Sequence, residues 1–291
     1  MMSQDALAIP ADRFDGAREL PVRRIQPVHG LVPLELDELW DYRELLYFLM
    51  WRQVKIRYKQ TALGIAWAII QPLFTMLIFS VVFGRFGRVP SDGVPYPVFA
   101  FCALLPWQLF SFALTESANS VIADPRLITK VYFPRLIIPM AAICVGLADF
   151  AVAFLVLLAL MFYYGMLPTV AVLTLPLWTL LAIATALAVG VWLSAVNVRY
   201  RDVRYTLPFL SQLWLFATPV AYPLSIVPPQ WRPVFALNPM VGVVEGFRWA
   251  LLGHGSAPLA AIAVSAAVVL VVLTGGLYYF RRTELTFADM V

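Results

Sequence analysis

The chain has 291 residues, 62% of them hydrophobic and 13% charged, with a formal net charge of +4. Soluble domains average roughly 45–50% apolar and 25% charged residues, so too few charges are present here to cover the apolar surface. An ordinary soluble fold is excluded, and an all-α integral membrane protein is expected. Cys102 and Cys144 fall inside apolar runs without paired spacing and read as small apolar fillers, so neither a disulfide framework nor a metal site is indicated. His29 and His254 lie in different segments, which leaves no histidine pair for a haem.

Met1–Gly30 is polar, with Arg13, Arg18, Arg23 and Arg24 but no apolar core behind them, and so is not a secretory signal. Residues 1–33 are expected to form a mobile cytosolic tail. Residues 34–60 read as an amphipathic helix at the membrane interface, with Asp37 as its cap. Tyr42, Leu45, Leu46, Leu49 and Ile56 share one side, and Asp41, Glu44, Arg52, Lys55 and Lys59 another. Its apolar run is too short to span, and its basic end suits an anionic leaflet; a soluble helix packed on a partner is the alternative.

Residues 61–282 then form the transmembrane domain, followed by a cytosolic tail over residues 283–291. Six apolar runs each approach the ~20 residues needed to cross a bilayer: Thr61–Phe83, Pro97–Leu114, Leu136–Tyr163, Val170–Val196, Leu207–Val227 and Leu259–Phe280. Between the second and third lies a polar break. There Asp124 and Pro125 start a helix of about two turns, and Pro134 forces an end near Tyr132. Leu127, Ile128 and Val131 cluster on one side of it, with Arg126 and Lys130 elsewhere. A helix this short needs a receiver. Between the fifth and sixth runs, Asn238 and Pro239 read as cap and first residue of a helix that Gly253 stops. At ~1.5 Å per residue it is about 20 Å long, so it is expected to be re-entrant or interfacial.

Basic residues set the orientation. With a cytosolic N-terminus, the inner side holds Arg52, Lys55, Arg57 and Lys59, the polar break, Arg199, Arg201, Arg204, Arg281 and Arg282. The outer side holds only Arg85, Arg88, Arg232 and Arg248, which fits the positive-inside rule and puts both termini in the cytosol.

Within the spans, Ala182, Ala186, Gly190 and Ser194 form a small-residue stripe for close helix packing, either inside the subunit or at a seam between subunits. Pro72, Pro106, Pro139, Pro176, Pro208, Pro219 and Pro223 are expected to bend or break helices. The fifth run, with three of these prolines plus Gln212 and Thr218, is the candidate cavity liner. Asp149 reads as the one carboxylate deep in an apolar run, either locking helices through a hydrogen bond or relaying protons; no further ionisable group at that depth is evident for a relay. Trp67 and Phe74 in the first span, and Trp214, Phe216 and Tyr222 in the fifth, offer aromatic faces for sugar rings, against the ordinary reading of belt and core residues.

No G-x-x-x-x-G-K-[ST], G-x-S-x-G, H-E-x-x-H or C-x-x-C pattern occurs, so neither ATP binding by a phosphate loop nor the chemistry of those motifs is indicated. Asp124 and Asp202 sit in basic surroundings and read as helix-starting or charge-pairing residues rather than as catalysts. An ATPase-independent channel and an envelope-assembly enzyme of the membrane are the readings from other classes.

Four separated stretches resemble type-2 ABC exporter permeases for cell-surface polysaccharides. They are RYKQTALGIAWAIIQPLFTMLIFSVVFGRFG (57–87), LLPWQLFSFALTESANSVIADPRLITKVYFPRLIIP (104–139), NVRYRDVRYTLPFLSQLWLFATPVAYPLS (197–225) and LNPMVGVVEGFRWALLG (237–253). The resemblance implies a subunit of the bacterial inner membrane in which two copies pair with two separately encoded ABC ATPase subunits. ATP and Mg would then be held on the ATPase, with no cofactor in this chain and no nucleic acid among its partners. The implied substrate is a lipid-linked glycan of the O-antigen, capsule or teichoic-acid type, with a small lipid, a drug or a heme precursor as alternatives.

On that resemblance Asp124–Tyr132 is the coupling helix docked on the ATPase, with Asp124, Arg126, Leu127, Ile128, Lys130, Val131 and Tyr132 as its residues. Trp67, Phe74, Gln212, Trp214, Phe216 and Tyr222 are channel-lining candidates, and Asn238, Glu245 and Arg248 are candidates for an outer gate. A phosphate head group entering the cytosolic mouth suits guanidinium forks, making Arg52, Arg57, Arg199 and Arg204 candidates there, against the reading of topology-setting charges.

Overall fold

Inside a bilayer every backbone N–H needs an internal partner, so long apolar runs become helices. The computed structural model describes residues 36–59, 66–123, 133–253, 259–284 and 287, all within one unit, Pro33–Val291. Among the described residues there are helices and no strands. Five helices among the described residues are long and apolar enough to cross a membrane: Trp67–Phe86, Tyr96–Ala123, Ile137–Tyr163, Val170–Arg199 and Ile262–Glu284.

The N-terminal helix is in two pieces, α1 (Leu36–Asp41) and α2 (Arg43–Lys59). Its described residues begin at Leu36. Tyr42, Leu45, Leu46 and Leu49 pack inward, but Ile56 is exposed, as are Tyr47, Phe48 and Trp51, so apolar side chains project on more than one side of α2. Next come α3 (Trp67–Phe79), which widens to π-helical turns over Ser80–Phe86, α4 (Tyr96–Ala123) and α5 (Ile137–Tyr163). A 3₁₀ turn, Val170–Thr174, leads into α6 (Leu175–Arg199). The rest is α7 (Val203–Ala217), a 3₁₀ turn Leu224–Ile226, α8 (Arg232–Ala236), α9 (Pro239–Leu252) and α10 (Leu259–Glu284).

Two sequence expectations change. The second run was expected to end at Leu114, but α4 continues to Ala123, because Thr115, Glu116 and Asn119 end an apolar run without ending a helix. The fifth run, expected as Leu207–Val227, yields a helix of only 15 residues. Thr218, held extended at φ −105° and ψ 137° ahead of Pro219, stops it. The prolines act unequally: Pro72, Pro106 and Pro208 sit within helices, and Pro176 lies in the first turn of α6, where a missing N–H costs nothing.

The centre of the fold is α4, whose most apolar window is 78% buried against 17–28% for the other four long helices. It packs chiefly on α5 and α6. The small-residue stripe of α6 is buried within the chain, with Gly190 against α4: a Cβ there would fall 2.5 Å from the Ser117 hydroxyl. A second core, with Leu49, Val121, Phe133, Val198, Phe280 and Phe287, closes the end where α4, α6 and α10 finish.

Candidate functional site

Helix α9 forms as its local signals dictate. Asn238 accepts a hydrogen bond from Met240 N–H at 3.1 Å, Pro239 opens the first turn, and Gly253 ends it at φ +69°. A pocket of about 220 Å³ places Asn238 and Pro239 beside Thr185 and Val189 of α6 and Val268 and Val272 of α10, at mid-helix. The other end, Gly253, meets Thr169 ahead of α6, where a Cβ would fall 2.7 Å from that side chain. The helix therefore runs from the middle of the bundle to one end.

Around α9 the loop after α7 is tied down. Arg248 is buried, pairs with Glu245 at 3.1 Å, and donates to the carbonyls of Val220 at 2.9 Å and Tyr222 at 3.3 Å. Its guanidinium lies 3.8 Å from the Phe99 ring centroid. Tyr96 donates to the Ala221 carbonyl at 2.6 Å, and Asn238 donates to Thr218 Oγ1 at 2.9 Å. The three outer-gate candidates thus surround one loop, Asn238 and Arg248 bonding to it directly and Glu245 through Arg248.

Between α3, α4 and α5 lies a cavity of about 670 Å³. At one edge the end of α2 reaches α5: Arg57 pairs with Asp149 at 2.7 Å, and the Tyr58 hydroxyl donates to the other carboxylate oxygen. Burial first, then the bond to Asp149, push the Tyr58 hydroxyl up to about 12. Arg57 also stacks 4.4 Å over Phe112. Asp149 thus joins α5 to α2, the helix-locking arrangement. A second carboxyl, Glu116, lines the same cavity, near enough to Arg57 to interact electrostatically. Sequence reasoning missed Glu116 together with Gln71 and Gln108. Their signal was helical spacing, Trp67–Gln71–Thr75 on α3 and Gln108–Ser111–Thr115 on α4, which puts polar atoms on one stripe of each apolar helix.

The other candidates scatter. Of the four mouth arginines only Arg57 lines this cavity; Arg52, Arg199 and Arg204 are exposed elsewhere. Among the channel candidates Trp67 lines it, whereas Phe74, Gln212 and Phe216 are exposed outside it. Trp214 packs edge-on against Phe110 and donates to Asn238 Oδ1 at 2.9 Å, and Tyr222 donates to the Phe216 carbonyl at 3.0 Å. Asp124, Arg126, Leu127, Ile128, Lys130, Val131 and Tyr132 lie outside the described residues. Their flanks are anchored, with Val121 on one side and Phe133 and Leu136 on the other buried in the second core.

Residues 44–252 match the family described as ABC-2 type transporter. The chain is 34% identical to an O-antigen export system permease protein of Myxococcus xanthus, over 87% of this chain and 98% of that protein. It is 26% identical to an O-antigen export system permease protein of Klebsiella pneumoniae, over 85% and 95% of the two chains. A polysialic acid transport protein of Escherichia coli is 27% identical over 81% and 92%. With its five membrane-length helices and this match across most of its length, the chain is a multi-pass membrane protein that belongs to the ABC-2 type transporter family.

Proposed function

We propose that the chain is the membrane permease of an ATP-driven exporter that carries a surface polysaccharide out across the bacterial inner membrane. The observation that carries this reading is the near full-length similarity to an O-antigen export permease. The permease acts as two copies joined to two copies of a separate ATPase, which supplies the ATP and Mg sites and performs the hydrolysis. Asp124–Tyr132 docks on that ATPase, and its two buried flanks suit a segment that must transmit force.

Both termini are cytosolic and six crossings connect them. The sixth is α7 together with its loop: α7 starts beside Arg199, where α6 ends, and the loop reaches Tyr96, where α4 starts. Helix α9 is re-entrant from the outer side, as its run from mid-bundle to one end supports. The α1–α2 helix lies at the inner interface, its exposed Tyr47, Phe48 and Trp51 suiting headgroup depth. A phosphate head group entering the mouth would meet the exposed guanidinium groups of Arg52, Arg199 and Arg204, as well as Arg57 where it pairs with Asp149.

Deleting the chain is expected to remove polysaccharide from the cell surface and accumulate lipid-linked polymer inside. Surface polymer that persists would sink the export reading. Affinity-tagged chain is expected to retain a protein carrying a phosphate loop from native membranes, and to lose it on Leu127→Asp or Val131→Asp with insertion unchanged.

A further inference from the structure

The 670 Å³ cavity is lined by residues of one chain and opens on its surface, and its lining has a distinct chemistry. The Trp67–Gln71–Thr75 stripe and the Gln108–Ser111–Thr115 stripe both line it, with Leu105 and Phe150 as apolar walls. Thr75 and Thr115 donate to carbonyls of their own helices at 2.8 Å each, and Ser111 bonds Ser211 at 2.7 Å. Among the described residues no hydrogen bond engages the Gln71, Gln108 or Glu116 side chains. Gln71 and Glu116 are exposed and Gln108 is half-buried, and polar side chains on membrane-length apolar helices are costly where lipid rather than water or a polar occupant meets them. Two amides and a carboxyl bring both donors and acceptors to one cavity, as the hydroxyls of a sugar ring require. Trp67, half exposed, adds a flat apolar face. The volume falls within the ~300–1,000 Å³ of small-molecule sites. The lining also sets a charge rule. Its one arginine is held by Asp149, and Glu116 adds a second carboxyl, so an anionic group finds no free cation here.

We propose that this cavity is a subsite for uncharged sugar rings of the exported polymer, with Gln71, Gln108 and Glu116 bonding hydroxyls and Trp67 stacking on a ring. The inference rests on the export reading above and adds a site within each chain. Charged repeats and phosphate-bearing ends pass elsewhere.

The test is photo-crosslinking in cells that are exporting their own polymer, with the complete exporter present. A benzophenone amino acid replaces Gln108, with Gln71 as a second position, and Leu180, exposed on α6, serves as the control. Illumination is expected to attach glycan at positions 108 and 71 and not at 180. A Gln71→Leu/Gln108→Leu variant is expected to lower surface polymer about tenfold, the effect of losing two neutral hydrogen bonds, with ATPase co-purification unchanged. Glycan attached equally at 180, lipid alone attached at 108 and 71, or normal export by the double variant each overturns the subsite. If deleting the whole chain leaves export intact, the export reading falls instead, so the two failures are distinguishable.

Discussion

Two arginine–carboxylate pairs of similar chemistry behave differently in this fold. Arg248 and Glu245 share α9, one turn apart, and the Arg248 side chain is only 8% exposed. Both terminal nitrogens of the guanidinium also donate to carbonyls of the loop after α7, while its Nε is buried without a hydrogen-bond partner among the described residues. Arg57 and Asp149 come from α2 and α5, are 39% and 25% exposed, and sit at the rim of an open cavity. A buried pair cannot lose one partner without leaving an uncompensated charge, whereas a half-exposed pair can be replaced by water. The first pair therefore holds a shape, and the second leaves room for a neighbour to change.

The largest expected effect comes from breaking the buried pair. Arg248→Ala strands Glu245 and two loop carbonyls, and should cost about 3–5 kcal/mol. Detergent-solubilised protein should melt at lower temperature or fail to accumulate, and Arg248→Lys should not restore it, because an ammonium cannot span both carbonyls and the carboxylate. Unchanged melting would erase the distinction between the pairs.

Asn238→Ala should come next, at about 1–2 kcal/mol. It removes the α9 cap and the bonds to Thr218 and Trp214 that seat the same loop. Its effect should shrink in an Arg248→Ala background, since both act on one loop, and simple additivity in thermal melts would show the two anchors to be independent.

Asp149→Asn should cost only about 1 kcal/mol or less and leave export in place, because the amide still accepts from Tyr58 and Arg57 remains solvated. Complete loss of export from a normally assembled variant would assign Asp149 a role beyond joining α5 to α2.

The smallest effect is on pH dependence. Burial raises the Tyr58 hydroxyl above its ordinary value near ~10, so it stays protonated and bonded to Asp149 throughout the neutral range. Its contribution is complete below about 10, where the unfolded tyrosine titrates, and is lost as pH rises from there through about 12, so Tyr58→Phe should leave the pH profile of thermal stability unchanged below about 10 and flatten it above.

Much of the architecture was legible in the sequence because its signals are local. Apolar runs of bilayer length, the Asn238–Pro239 start and the Gly253 stop each act over a few residues, and the helix they predict is the helix that forms. Hydropathy failed where the backbone decides. It carried the fifth span through Pro219 and Pro223, where the helix ends at Ala217, and it stopped the second at Leu114, where α4 runs on to Ala123. Part of the candidate site was legible too, in the polar stripes of α3 and α4, although neither stripe by itself shows that it faces the other.

By itself the sequence determined that this is an all-helical membrane chain, where most of its long helices lie, and which residues begin and end α9. Only the tertiary structure decided which polar groups meet. Asp149 finds Arg57 92 residues away, Trp214 turns to Asn238, and Glu116 joins a cavity that no single helix encloses. The physical reason is range. Propensity, capping and hydropathy act along the chain, whereas the partners of an intramembrane charge are chosen by which helices pack together.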